Sequence, residues 1–289
     1  MFSRRFAPYF FLAPFLLTFG IFSVWPLFQS ILLAMQRTFG PEHTEFVFLD
    51  NFLFLLQDPL FWKATRNTTV FALGSLIIQL PLALGLAILL NQSWVKGRSI
   101  LRLIFFSPSL LGMVFVAILF RLIFEKRTGL LNVSMQNLFG FGLEFPWLQE
   151  YVMPAMIIAA LWMFTGHNMI YFLAALQTVD KDLVDASRID GANPWQQFLN
   201  VTIPAIRPVA GFIVLLSMIG SFQLFELPYL LFNQTGGPNN QGLTIVMYLY
   251  QQGFQVGDLG YASAVGWILA MLLVSITLVQ RRLSRDESY

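Results

Sequence analysis

Six stretches of this chain, residues 8–35, 67–92, 100–124, 151–177, 206–232 and 259–280, are long and apolar enough to cross a bilayer. No other feature constrains the fold as tightly. A hydrocarbon core takes roughly 20 apolar residues in helical form. Backbone N–H and C=O groups there find no water, so helix is the predicted state of all six. Composition agrees: 57% of residues are hydrophobic and 11% are charged, against roughly 25% charged in soluble domains. The predicted fold is an all-α membrane protein with six transmembrane helices, residues 1–289 forming a single transmembrane domain. The first run follows Arg4 and Arg5. It is longer than the roughly 7–15 apolar residues of a signal-peptide core, which makes it a retained span.

Lysine and arginine placement orients the spans. With the N-terminus inside, the inner segments hold eleven basic residues and the outer segments six. Both termini are therefore expected to be cytoplasmic. Cysteine is absent, which excludes disulfides and thiolate metal sites. His43 and His167 are the only imidazoles, too few for a histidine-rich metal centre. A net charge of +2 points away from nucleic acid. Outside the spans, residues 46–69 mix aromatics with charges and predict a short helix lying in the outer interface. Residues 233–242, NQTGGPNNQG, predict a turn.

One polar island interrupts the apolar pattern on the cytoplasmic side, at about residues 180–205. Asp180 and Asp182 suit a helix N-terminus. Leu183, Ala186 and Ile189 recur at helical spacing. Gly191 then provides the left-handed turn residue. Asn193 is a good N-cap and Pro194 a good first helical residue. The second short helix carries Trp195, Phe198 and Leu199, and Pro204 and Pro208 are expected to end it. The island thus predicts a helix–Gly–helix hairpin with exposed apolar residues, either packed on its own protein or docking a cytoplasmic partner.

The sequence of this island resembles the cytoplasmic signature of permease subunits in binding-protein-dependent ABC importers. Its EAA positions are Asp185, Ala186 and Ser187, its glycine is Gly191, and its ending is Val201, Thr202, Ile203 and Pro204. RIDGA, from Arg188 to Ala192, is similar to the carbohydrate-importer branch, the maltose and glycerol-phosphate type. So are residues 48–68, the TGGP at 235–238 and residues 248–265. Asp185 stands where that family carries Glu, and Ser187 where it carries Ala.

That resemblance implies the type I ABC importer permease fold, in the cytoplasmic (inner) membrane of a prokaryote. It implies a non-catalytic subunit that translocates a mono-, di- or oligosaccharide. Two ATP-binding subunits, carrying ATP and Mg, would supply the energy. A second permease, a different chain, would complete the pathway, and an extracytoplasmic sugar-binding protein would deliver the cargo. The island would act as the coupling helix. Leu183, Ile189, Trp195 and Phe198 would be its apolar anchors, and Asp185 and Arg188 would set register. The chain itself has no P-loop: none of Lys63, Lys96, Lys126 and Lys181 sits in a G-x-x-x-x-G-K-[ST] context.

Polar groups inside spans are costly and are functional candidates. Span four offers Thr165, Asn168 and Tyr171, span five Ser217, Ser221, Gln223 and Glu226, and span six Ser263 and Trp267. Their hydroxyls, amides, carboxylate and rings suit a sugar pathway, and hydrogen bonding between helices is the competing role. Glu226 faces either cargo or a polar group of the second permease. Gly74, Gly85, Gly112, Gly166, Gly211 and Gly220 are expected to let helices approach closely. A stand-alone secondary transporter or channel is the alternative. It would favour several embedded carboxylates or paired broken repeats, and the spans hold one carboxylate and no repeat.

Overall fold

A computed structural model describes residues 7–39, 43–140 and 144–285. The chain packs as two compact units, Met1–Trp62 with Tyr248–Leu272, and Lys63–Met247 with Leu273–Tyr289. Among the described residues, five helices are long and apolar enough to span: Tyr9–Ala34, Pro59–Asn91, Val152–Gln177, Pro194–Leu231 and Leu259–Arg282. A sixth apolar segment is two helices, Arg98–Leu110 and Met113–Ile123, meeting at 97°. The single straight helix expected over 100–124 is thus broken at Leu111 and Gly112. Pro108 opens the weakness, because it donates no hydrogen bond and ends in a tight 3₁₀ turn, Ser107–Leu110.

The first unit begins with the Tyr9–Ala34 helix, loosened by a π turn at Gly20–Val24. A two-stranded antiparallel hairpin follows, Gln36–Phe39 with His43–Phe46. This hairpin, absent from the all-helical expectation, is tied to its surroundings by polar side chains. Asn51 donates to the carbonyls of Ala34 (2.9 Å) and Gln36 (2.8 Å). Thr38 donates to Asp258 (3.1 Å) and accepts from the Gly260 N–H (3.0 Å). A Cβ at Gly260 would fall 1.8 Å from the Gln36 carbonyl oxygen, so only glycine fits. The predicted interfacial helix is Asp50–Gln57. Residues 59–66, assigned to the same loop from sequence, are instead the first two turns of the Pro59–Asn91 helix. Proline starts a helix well, and a span may run past the hydrocarbon into the interface. At that start, Asp58 Oδ1 caps the Leu60 N–H (2.8 Å). Its Oδ2 accepts from the hydroxyls of Tyr261 (2.9 Å) and Tyr248. Burial, and then Asp58, push the Tyr248 hydroxyl above its ordinary pKa.

The second unit is organised around the Val152–Gln177 helix, of which 56% of the spanning window is buried, against 33% or less for every other span. Two apolar clusters lie along it. One joins Met156 and Ala159 to Phe71, Phe120 and Leu227; the other joins Met169 and Phe172 to Ala87, Leu90 and Ile213. Small residues set the approach distances. A Cβ at Gly166 would lie 1.8 Å from the Phe105 carbonyl oxygen, and one at Gly74 would lie 2.8 Å from Ile157 Cδ1. Gly85 and Gly220 have nothing within 4 Å, so these two do not serve close packing as the sequence suggested.

Span five departs most from expectation. The hairpin's second arm does not end at Pro204 and Pro208. Pro194–Gln197 runs through a π turn, Phe198–Thr202, into the helix Ile203–Phe222. Pro204 lies just after that π turn and Pro208 lies inside the helix, and neither ends it. The π turn accommodates the register change. The break comes later, at 223–225, before the short helix Glu226–Leu231. Pro228 causes it: with no N–H, it cannot bond the Leu224 carbonyl four residues back. That buried oxygen is taken instead by the Thr244 hydroxyl, at 2.7 Å. Close by, Asn67 donates to the carbonyls of Asn240 (2.8 Å) and Leu243 (3.0 Å), and Thr68 accepts from the Ile245 N–H (3.0 Å). Those bonds hold the predicted turn, where Asn233, Gln234, Gly237, Asn239 and Asn240 all have positive φ. Glu125 caps the N–H groups of Thr128 and Arg127, which holds its carboxyl below the usual carboxylate range.

Two outcomes are expected. Gly166→Ala should lower stability by about 1–3 kcal/mol through overpacking, whereas Gly85→Ala should be neutral or slightly stabilising; thermal unfolding in detergent compares them. Thr244→Val should cost about 1–3 kcal/mol in the same assay, because it strands the buried Leu224 carbonyl.

Candidate functional site

The second unit carries two candidate features. The first is the polar hairpin. Lys181–Ile189 is a helix capped by the Asp180 side chain, which accepts from the Asp182 N–H at 2.9 Å. It ends in a six-residue hydrogen-bonded turn: the Ala192 N–H bonds the Ser187 carbonyl (2.9 Å) and the Gly191 N–H bonds the Arg188 carbonyl (3.1 Å). Gly191 has φ +80°, the left-handed conformation that glycine adopts without steric cost. Asn193 and Gln196 then form a reciprocal capping box for the second arm. The helix ends of the hairpin are therefore satisfied locally, by side-chain caps and by backbone hydrogen bonds at the turn. Its large apolar side chains stay uncovered: Ile189 is 87% exposed, Trp195 65% and Leu183 57%. Phe198 is half-buried and lies 5.5 Å, ring to ring, from Trp195. Asp185 and Arg188 pair at 3.0 Å on the exposed side of the first arm. Ala186 is exposed beside them, while Ser187 turns its hydroxyl back to the Val184 carbonyl at 2.7 Å.

The second feature is a cavity of about 380 Å³ among the spanning helices. Phe71, Ser75 and Gln79 face it at four-residue intervals from the Pro59–Asn91 helix. Phe164, His167, Asn168 and Tyr171 face it from Val152–Gln177 at the three- and four-residue spacing of one helix face. Ser217 and Ser221 come from Ile203–Phe222, and Gln223 and Glu226 from the break beyond it. Asn168 Nδ2 donates to Ser217 Oγ at 3.2 Å, and Ser221 Oγ donates to the Ser217 carbonyl at 2.8 Å. His167 stands edge-on to Tyr171, with ring centroids 4.9 Å apart. Hydroxyls and amides that both donate and accept, flanked by aromatic rings, suit a polyhydroxylated ligand.

Six of the residues singled out from sequence, Asn168, Tyr171, Ser217, Ser221, Gln223 and Glu226, meet in this cavity. Three do not line it. Thr165 is buried, and its hydroxyl has no partner among the described residues. Ser263 and Trp267 belong to the first unit, where Ser263 bonds the Leu259 carbonyl (2.7 Å) and Trp267 bonds Ser30 (3.2 Å). Sequence reasoning missed Ser75 and Gln79. Their signal was present: two polar groups four residues apart within an otherwise apolar span.

Comparison with known proteins gives three kinds of likeness. Residues 79–288 match the family described as "Binding-protein-dependent transport system inner membrane component". The Arabinooligosaccharides transport system permease protein AraP of Bacillus subtilis (strain 168) is 39% identical over 98% of this chain and 90% of its own length. The Lactose transport system permease protein LacF of Rhizobium radiobacter is 31% identical over 96% and 93%. A chain in the crystal structure of a bacterial alginate ABC transporter, in complex with an alginate pentasaccharide-bound periplasmic protein, superposes with a TM-score of 0.85. It is 26% identical, over 98% of this chain and 95% of that one.

Proposed function

This chain belongs to the family of inner-membrane components of binding-protein-dependent transport systems, and from that premise we propose that it is the permease subunit of an ATP-driven saccharide importer. One observation carries the reading. The exposed hairpin arm is continuous, through its π turn, with the helix whose far end lines the cavity. From residue 194 to residue 221 this amounts to about 40 Å of helix at 1.5 Å per residue. A push on the hairpin therefore reaches Ser217 and Ser221 through a rod.

Other chains supply the remaining parts. Two ATP-binding subunits, each with ATP and Mg, supply the energy, and a groove on one of them grips the hairpin in the cytoplasm. Leu183, Ile189, Trp195 and Phe198 dock in that groove, the Asp185–Arg188 pair sets register, and Ala186, Ser187 and Ala192 keep the contact close. A second, different permease completes the pathway, and an extracytoplasmic sugar-binding protein delivers the cargo. Both termini face the cytoplasm, and the whole chain works as one permease domain in the inner membrane of a prokaryote. The eleven-to-six excess of basic residues in the inner segments supports that orientation. The lack of a P-loop sequence supports an external energy source. The periplasmic protein bound to the alginate transporter supports the delivery partner, and the arabinooligosaccharide and lactose systems support a saccharide.

Gly191→Pro tests the rod. Proline cannot adopt φ +80° and removes the N–H that bonds Arg188. In reconstituted full complex, the variant should co-purify with its partners and retain basal ATP hydrolysis while uptake falls at least about tenfold. Wild-type uptake by this variant would end the lever reading.

A further inference from the structure

The charge of the cavity wall is one-sided. Glu226 lines it, is exposed, and has no hydrogen bond or ion pair to its carboxylate among the described residues. Among the described residues, no lysine or arginine lines the cavity. The other polar groups on the wall are neutral amides, hydroxyls and the single imidazole of His167. Basic side chains of the same unit line a different cleft. Arg121 and Lys126 stand there with Phe232, Asn233 and Thr235, and Arg121 is engaged with Asn233 Oδ1.

We propose that Glu226 is the specificity residue of this cavity, accepting hydrogen bonds from the hydroxyls of neutral saccharides and rejecting saccharides that carry carboxylate or phosphate. The inference rests on the reading of the cavity as the saccharide pathway. A carboxylate accepts hydrogen bonds from two hydroxyls at once, and such charge-assisted bonds are about twice as strong as neutral ones. An anionic cargo meets the opposite situation. Its own charge loses water on entering, finds no cation on the wall, and lies within a few ångströms of a like charge in a medium of reduced dielectric. A site that rejects one class needs only such an unpaired repulsion. Asn168 and Ser217, already bonded to each other, then contribute affinity without contributing to the choice of charge.

The test uses the whole complex, this chain with its second permease and ATP-binding subunits, in nanodiscs at pH 8 and low salt, without the delivery protein. The probes are arabinotriose and trigalacturonate, titrated by calorimetry. Wild type should bind arabinotriose at least about tenfold more tightly, about 1.4 kcal/mol. Glu226→Gln should narrow that ratio to about threefold or less. Asn168→Ala should weaken arabinotriose binding and leave the ratio unchanged. Equal binding of both probes by wild type, or an unchanged ratio in Glu226→Gln, overturns the charge filter; a loss of affinity in Asn168→Ala would then leave the saccharide site itself standing. Binding of neither probe overturns both. Loss of the second permease from the Glu226→Gln complex also overturns the filter, since the carboxylate would then be an intersubunit contact.

Discussion

In a lipid environment every backbone carbonyl needs a partner from within the protein, and the bends of this chain are built around that demand. The Leu224 carbonyl is the sharpest case. Pro228 deprives it of its helical donor, and Thr244, twenty residues on, supplies one. The chain can therefore break its fifth span at 223–225 without exposing an orphan group. That break turns Gln223 and Glu226 toward the cavity. A continuous helix would have carried these side chains around the 3.6-residue period instead.

Close approach is the second organising fact. Gly166 lets the Phe105 backbone lie against the central Val152–Gln177 helix. The neighbouring residues of that helix, His167 and Asn168, face the cavity. One glycine thus couples the packing of the central helix to the position of two polar groups on the cavity wall. The same helix buries methionine, alanine and phenylalanine on its other faces, which fixes its rotation. Small residues rather than polar glue control the distance here. Asn168 and Ser217 add one hydrogen bond on top of that packing.

The exposed hairpin and one wall of the cavity belong to a single continuous run of helix. Stiffness at the hairpin comes from saturated caps: Asp180, Gly191, Asn193 and Gln196 satisfy the helix ends locally. Its uncovered apolar side chains, Leu183, Ile189 and Trp195, are the residues that a partner would dry. Beyond them the π turn at Phe198–Thr202 passes the chain into the spanning helix without a stop. A π turn and Pro208 both lie on that path, and the helix continues through them to Phe222.

Much of this was legible in the linear sequence, and the division follows the range of the forces involved. Apolar runs against lipid, the caps of Asp180 and Asn193, the left-handed Gly191 and the turn at 233–242 depend on neighbours a few residues away, so composition and spacing reveal them. The early start of the second span at Pro59, the continuity through Pro204 and the break at Leu111 and Gly112 depend on how a local weakness is repaired, and the repairing group is often distant. Gly85 and Gly166 look alike in sequence, yet one faces open space and the other a backbone carbonyl. Thr165 and Asn168 look equally suited to the pathway, yet only Asn168 lines it. By itself the chain of residues determined that this is a bundle of membrane helices with a stiff polar hairpin, because those are short-range consequences of hydrophobicity and hydrogen-bond capping. Tertiary packing alone decided which polar side chains share a cavity and which carbonyl Thr244 satisfies, because those contacts join residues far apart in sequence, at distances set by the side chains between them.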